Sequence, residues 1–241
     1  QTFVDTINSY IWSDSLIYFA LGAGLFFSIK TRFVQIRLIR EMKNLLFSGK
    51  SSKKGISTFQ ALSVSLSGRV GTGNIAGVAA AIGFGGPGAV FWMWVVAFLG
   101  ASTAYIESTL GQIYKEDSDG QYRGGPAYYI EKAMGQKWYA WIFAFATIIA
   151  TGILLPGVQA NSIGNAAELA LGGGEIIQTV VGPLSTTKIS TSIVVVILLG
   201  FIIFGGVKRI ANFTQVVVPF MAFAYVITAL AVIGLNISRL P

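Results

Sequence analysis

Apolar stretches too long and too close together for a water-soluble core dominate this chain. They cover residues 15–29, 56–84, 89–113, 138–159, 189–207 and 213–237. A bilayer core is about 30 Å thick and is crossed by about 20 helical residues. Most of the stretches meet that length, and the shorter first one is extended toward the interface by Trp12. Only 11% of the 241 residues are charged and 54% are hydrophobic, against about 25% charged in a soluble domain. A soluble globular fold is therefore excluded. A membrane β-barrel needs strict apolar–polar alternation. The run from Ile193 to Leu199 has none, so the spans are helices whose backbone groups are satisfied within each segment. The expected class is an all-α polytopic membrane protein. The chain has no cysteine and no histidine, which excludes a disulfide scaffold, thiolate chemistry and the usual zinc or Ser-His-Asp enzyme sites.

Charge placement gives the expected orientation. Residues 30–54 hold eight basic residues and one acid, Glu41, and a basic loop of this kind stays cytoplasmic. The N-terminus is then outside, segment 114–137 and the pair Lys208–Arg209 are cytoplasmic, and loop 168–188, with Glu168 and Glu175, is external. Asp5 and Asp14 stand where a signal peptide would carry basic residues, so the start is not read as a cleaved leader. Within 30–54, apolar residues alternate with Arg37, Arg40 and Lys43 in the manner of an amphipathic helix lying on the membrane. The basic surplus points to membrane lipid rather than nucleic acid. The stretch Tyr122-Arg-Gly-Gly-Pro126 is expected to form a turn or short helix on the cytoplasmic side.

The most informative segment is 63–88. Gly68, Gly71, Gly73 and Gly77 fall within ten residues, beside Thr72 and Asn74. Each glycine costs about 1 kcal/mol against alanine inside a helix. Their clustering predicts that the helix breaks at mid-membrane depth. Small-residue helix packing, as at Gly73 and Gly77, is the alternative. A break exposes N–H groups that attract anions and carbonyls that attract cations, and such backbone is tolerated in a membrane only where it lines a cavity. Transporters use this arrangement. The Asn74 side chain adds an oxygen donor for a cation.

The stretches Val70-Gly-Thr-Gly-Asn-Ile-Ala-Gly-Val78, Gly85-Gly-Pro-Gly-Ala-Val-Phe-Trp-Met-Trp94, Tyr122-Arg-Gly-Gly-Pro-Ala-Tyr-Tyr129 and Val158-Gln-Ala-Asn-Ser162 together resemble the alanine/glycine:cation symporter family. That family belongs to the amino acid–polyamine–organocation superfamily. The resemblance runs along essentially the whole chain. It implies sodium-coupled, or alternatively proton-coupled, symport of a small amino acid by alternating access, with Na⁺ as coupling ion and no other cofactor. It also implies a LeuT-like inverted-repeat fold. Residues 1–55 would form one extra N-terminal helix and a cytoplasmic amphipathic helix. Residues 56–241 would form the first five-helix repeat, with a broken first core helix. Family members are longer, so the second repeat is expected to be missing here, and the chain alone is expected not to transport.

By the same resemblance, the Thr72 and Gly73 amides would take the substrate carboxylate. Gly77 would keep the pocket small, and Gln159 would form a polar wall. The carbonyls of Ser67 and Val70, with Asn74, would hold Na⁺. Arg69 and Glu107 are ionisable residues within spans, where charge must face protein or water. They are expected to form a gating or structural pair, with proton carriage by Glu107 as the alternative. Outside this reading stand a different small-solute permease of the superfamily and a cation channel, although a channel would need repeated carbonyl rings that the sequence lacks. A membrane enzyme lacks convergent acids and bases.

Overall fold

The computed structural model describes residues 2–48, 55–118, 120–180 and 182–237. The chain divides into two units, one of residues 1–45 and 76–147, the other of residues 46–75 and 148–241. Helices run in the order α1 (Phe3–Ile11), α2 (Asp14–Lys30), α3 (Val34–Arg37), α4 (Ile39–Phe47), α5 (Thr58–Ser67), α6 (Val78–Gly85), α7 (Gly88–Ile113), α8 (Pro126–Met134), α9 (Lys137–Ile149), α10 (Leu155–Leu171), α11 (Thr186–Ile203) and α12 (Gly206–Leu235). Two wide π turns interrupt them, at Gly73–Gly77 and Ala150–Leu154. Among the described residues, five helical stretches are long and apolar enough to cross a membrane: Phe3–Lys30, Gly88–Ile113, Lys137–Leu171, Thr186–Ile203 and Gly206–Leu235. The chain is a multi-pass, overwhelmingly helical membrane protein.

The stretch 56–84 breaks at the glycine cluster as predicted: α5 stops at Ser67 and the chain resumes as the shorter apolar helix Gly73–Gly85. Several other boundaries differ from the sequence reading. The fourth stretch continues through Pro156 to Leu171, because a π turn just before the proline absorbs the ring without ending the helix. Glu168 is therefore helical rather than part of a loop. Lys208 and Arg209 sit in the first turn of α12, not in a connection. The fold also carries strands that an all-helix reading omits. β1 (Glu116–Ser118) pairs antiparallel with β2 (Gln121–Arg123), and β3 (Ile176–Thr179) with β4 (Gly182–Ser185). Both hairpins lie between spans. The predicted turn at Tyr122–Pro126 is thus the return strand of a hairpin followed by α8, with Pro126 at its first turn, where a missing N–H costs nothing. Residues 34–47 are helical in two pieces; residues 49–54 of the basic segment lie outside the described residues.

In the first unit, α2 packs on α7 through a polar seam. Ser28 and Ser102 are fully buried. Ser28 Oγ donates to the Gly24 carbonyl at 2.8 Å, and Ser102 Oγ donates to the same carbonyl at 2.9 Å. The two hydroxyls lie 3.1 Å apart. A Cβ built on Gly24 would stand 2.9 Å from Leu99 Cβ and 3.2 Å from the Leu99 carbonyl carbon. Lipid supplies no hydrophobic drive between helices, so close backbone approach and interhelical hydrogen bonds do the work. Gly86, with φ of 72°, makes the tight turn into α7 in a conformation that favours glycine.

In the second unit, α5 packs on α12, and α10 on α11, which also meets α12. Ser57 opens α5 with a reciprocal cap: its Oγ accepts the Gln60 N–H at 3.2 Å, and Gln60 Oε1 accepts the Ser57 N–H at 2.9 Å. Gln60 Nε2 then donates to Asn212 Oδ1 on α12 at 2.7 Å. Lys188, near the start of α11, pairs with Glu168 on α10 at 3.0 Å. These ties hold α5 and α10, the two helices that present the site.

Gly24→Ala is expected to lower the unfolding free energy by about 1–3 kcal/mol, because the Leu99 backbone cannot yield to the added methyl. Gly22→Ala, with nothing within 4 Å of the new Cβ, should be neutral or slightly stabilising. Thermal denaturation of the two variants in detergent checks the contrast.

Candidate functional site

The break between α5 and the π turn Gly73–Gly77 is a problem in hydrogen-bond supply. Gly68 N–H still reaches the Val64 carbonyl at 3.2 Å, and the N–H groups of Arg69 and Val70 both reach the Leu66 carbonyl at 3.0 Å. The helical ladder then stops. Gly71 N–H donates to Asn74 Oδ1 at 3.2 Å, and Thr72 N–H donates to Gln159 Oε1 at 3.3 Å. The Thr72 hydroxyl donates to the same Gln159 oxygen at 3.2 Å. Two carboxamide oxygens therefore stand in for the missing backbone acceptors. Asn74 acts locally, as Asx residues do at helix starts; Gln159 arrives from α10. Among the described residues, the Gly73 N–H has no acceptor, and no backbone N–H donates to the carbonyls of Ser67, Gly68, Arg69 or Val70.

A cavity of about 460 Å³ lies against this segment, all of it within the second unit. Its walls are the unwound chain from Ser67 to Gly71, with Gly73 and Asn74, and on the other side Thr151, Leu155, Pro156 and Gln159. The π turn Ala150–Leu154 carries Thr151. Wide turns of this kind recur at functional sites because they redirect backbone groups out of the helical ladder. Two irregular segments thus face one space. One offers amide N–H groups at the start of a helix, where partial positive charge collects. The other presents Thr151, and the first turns of α10 after it present the Gln159 amide. Such a site can hold an anionic group on the N–H side and a cation among the loop carbonyls.

The sequence candidates separate into groups. Thr72, Asn74 and Gln159 are joined by hydrogen bonds to the unwound chain, and Ser67, Val70, Gly73 and Arg69 line the same cavity. Gly77 ends the π turn and falls in the other unit, off the cavity wall. Arg69 belongs to the second unit and Glu107 to the first. In its own unit Glu107 neighbours Tyr129 on α8: burial, and then the Glu107 carboxylate, raise the Tyr129 phenol above its ordinary pKa. Among the described residues, no group of three or more His, Cys, Asp or Glu could hold a metal ion. Any cation here would rest on neutral oxygens, the donor set that suits a monovalent ion. Sequence reasoning missed Thr151 and Leu155. The available signal was Pro156 after an apolar run with Thr151-Gly152, which marks a disturbed helix.

Residues 1–241 match the sequence profile of the family described as the sodium:alanine symporter family. A Bacillus subtilis (strain 168) protein provisionally named a sodium/proton-dependent alanine carrier is 56% identical over 239 residues, covering 99% of this chain and 47% of that protein. The amino-acid carrier protein AlsT of the same organism is 41% identical over 241 residues, covering 100% of this chain and 49% of the relative. The sodium/alanine symporter AgcS of Methanococcus maripaludis is 37% identical over 243 residues, covering 98% and 51%. The chain spans about half the length of the curated relatives it matches.

A Cβ at Gly71 would lie 2.7 Å from Gln159 Nε2, whereas one at Gly73 would meet nothing within 4 Å. Gly71→Ala is therefore expected to push Gln159 off Thr72 and cost about 1–3 kcal/mol, while Gly73→Ala stays close to wild type. Denaturation midpoints of the two variants, measured side by side, test the ordering.

Proposed function

Because the chain belongs to the sodium:alanine symporter family, whose members are carriers and not enzymes, we propose that it contributes the substrate site of a cation-coupled symporter of small neutral amino acids, alanine or glycine, working by alternating access. The observation that carries this reading is the pair of hydrogen bonds from the Thr72 N–H and hydroxyl to Gln159 Oε1. A carboxylate oxygen has the same acceptor chemistry as that carboxamide oxygen and more negative charge. A bound amino acid would take these donors together with the open Gly73 N–H, and Gln159 would turn its Nε2 toward the carboxylate. The carbonyls of Ser67 and Val70, with Asn74 Oδ1, form the proposed Na⁺ cradle; Na⁺ favours uncharged oxygens of this kind. The glycines lining the wall, Gly68, Gly71 and Gly73, add little bulk to the cavity, in keeping with a small amino acid.

Sodium is the favoured coupling ion because the loop offers neutral oxygens and no titratable acid. Coupling to H⁺ is the second reading, and Glu107 is its candidate carrier. The finer architecture proposed is a LeuT-like repeat in which residues 1–55 precede residues 56–241 as the first five-helix unit, with α5 and the helix from Gly73 as the two halves of the first core helix. The N-terminus would lie outside and the basic segment 30–54 in the cytoplasm of a cell-membrane protein, following the positive-inside rule. Arg69 and Glu107 are proposed as a gating or structural pair.

In proteoliposomes containing a full-length protein that carries this chain, alanine uptake is expected to be saturable and to require an inward Na⁺ gradient. Gln159→Leu and Asn74→Ala should each lower it about tenfold or more, equivalent to about 1.4 kcal/mol. Uptake driven by a pH gradient alone would move the reading to proton coupling; no uptake of alanine or glycine under either gradient would remove the substrate assignment.

For the ion pair, Arg69→Glu and Glu107→Arg should each abolish uptake, and the double exchange should recover part of it. A double variant no better than either single one would overturn the pair.

A further inference from the structure

The segment after α2 leaves the membrane span under unusual constraint. Arg32 and Phe33 both adopt left-handed backbone, with φ of 53° and 52°. L-residues pay about 1–2 kcal/mol each for that conformation, so something must hold them there. Phe33 N–H donates to the Ser28 carbonyl at 2.7 Å, and Gln35 Nε2 donates to Ser28 Oγ at 2.9 Å. Val34 is 2% exposed. The start of α3 is thus clamped onto the last turns of a membrane-spanning helix, at the buried serine that also joins α2 to α7. Residues 34–47 leave from that clamp.

The helix that follows has two chemically distinct sides. On α4, Ile39, Met42, Leu45 and Leu46 share one face at helical spacing, and Arg40, Glu41, Lys43 and Asn44 share the other. No residue of α4 is buried by the protein; Ile39 and Met42 remain 46% and 44% exposed, and Ile36 on α3 57%. Between residues 30 and 43 the chain carries Lys30, Arg32, Arg37, Arg40 and Lys43 against the single acid Glu41. An exposed apolar stripe beside this much positive charge, held at the end of a span, matches a leaflet of anionic phospholipid in both hydropathy and charge.

We propose that α3 and α4 form a docking surface for anionic phospholipid. Ile39, Met42 and their neighbours enter the acyl boundary, and Arg37, Arg40 and Lys43 bind lipid phosphates. The clamp at Ser28 and Gln35 makes lipid composition felt at the α2–α7 seam. This surface is independent of the amino-acid site and survives if that reading fails.

The chain contains no cysteine, so Met42→Cys gives a single labelling position within it. The protein carrying an environment-sensitive fluorophore there is placed in nanodiscs of phosphatidylcholine alone or with phosphatidylglycerol. Quenching is read with a lipid-borne and a water-soluble quencher. Lipid quenching should dominate in the phosphatidylglycerol discs. Neutralising Arg37, Arg40 and Lys43 to Gln should weaken docking on the order of fivefold per charge removed. Dominant quenching from water in both discs, or shielding from both quenchers by a protein surface, would overturn the proposal. Lipid quenching that ignores both phosphatidylglycerol and the triple variant would also overturn it, because recognition would then not be of anionic lipid. A Gln35→Ala variant, which keeps every charge but loosens the clamp, should lower lipid quenching at position 42 without changing its phosphatidylglycerol dependence.

Discussion

Inside a bilayer a backbone N–H without an acceptor costs several kcal/mol, and the second unit is arranged around that cost. Past Val70 the chain gives up its helical hydrogen bonds at Gly71 and Thr72. The deficit is met by side chains: Asn74 for Gly71, and Gln159 for Thr72. The remaining requirements follow from this. Gly71 must lack a Cβ so that Gln159 can approach. Helix α10 must carry an amide at that height, and the capped start of α5 must stay fixed against α12 through Gln60 and Asn212. A carboxamide oxygen is a weaker acceptor than a carboxylate, so under the proposed function a substrate carboxylate would displace Gln159 from these donors.

The first unit solves a different problem in the same medium. Its task is to join α2 and α7 without hydrophobic drive between them. It does so with a glycine that lets the Leu99 backbone come close and with two buried serines that share the Gly24 carbonyl. Ser28 also receives Gln35 from the segment beyond the span. One buried hydroxyl therefore links helix packing to the direction in which the basic segment leaves the membrane.

The spans were legible in the sequence because lipid demands long apolar runs and leaves little room for other solutions. The break at Gly68–Thr72 was legible too, since four clustered glycines beside Thr72 and Asn74 favour a break over small-residue helix packing, the alternative use of such glycines. Thr72 and Gln159 were both named from sequence, but their mutual contact depends on which turn of α10 faces the loop, and no local signal encodes that. The fourth apolar stretch ends at residue 159, just past Pro156; the π turn before the proline lets the helix run on to Leu171. The hairpins at Glu116–Arg123 and Ile176–Ser185 were missed because strands of three or four residues carry too short a pattern to register. Gly77 was grouped with the site through the glycine-rich motif; it closes the π turn Gly73–Gly77 and is not among the residues lining the cavity.

The central claim is that the amides of the unwound segment are the place where an amino acid binds. Hydrogen–deuterium exchange of the peptide covering residues 68–74 tests it directly. With the protein in nanodiscs and Na⁺ present, adding alanine should slow exchange in that peptide and leave the α2–α7 seam unchanged. Exchange that is the same with and without alanine, under conditions where alanine is shown to bind, would contradict the account.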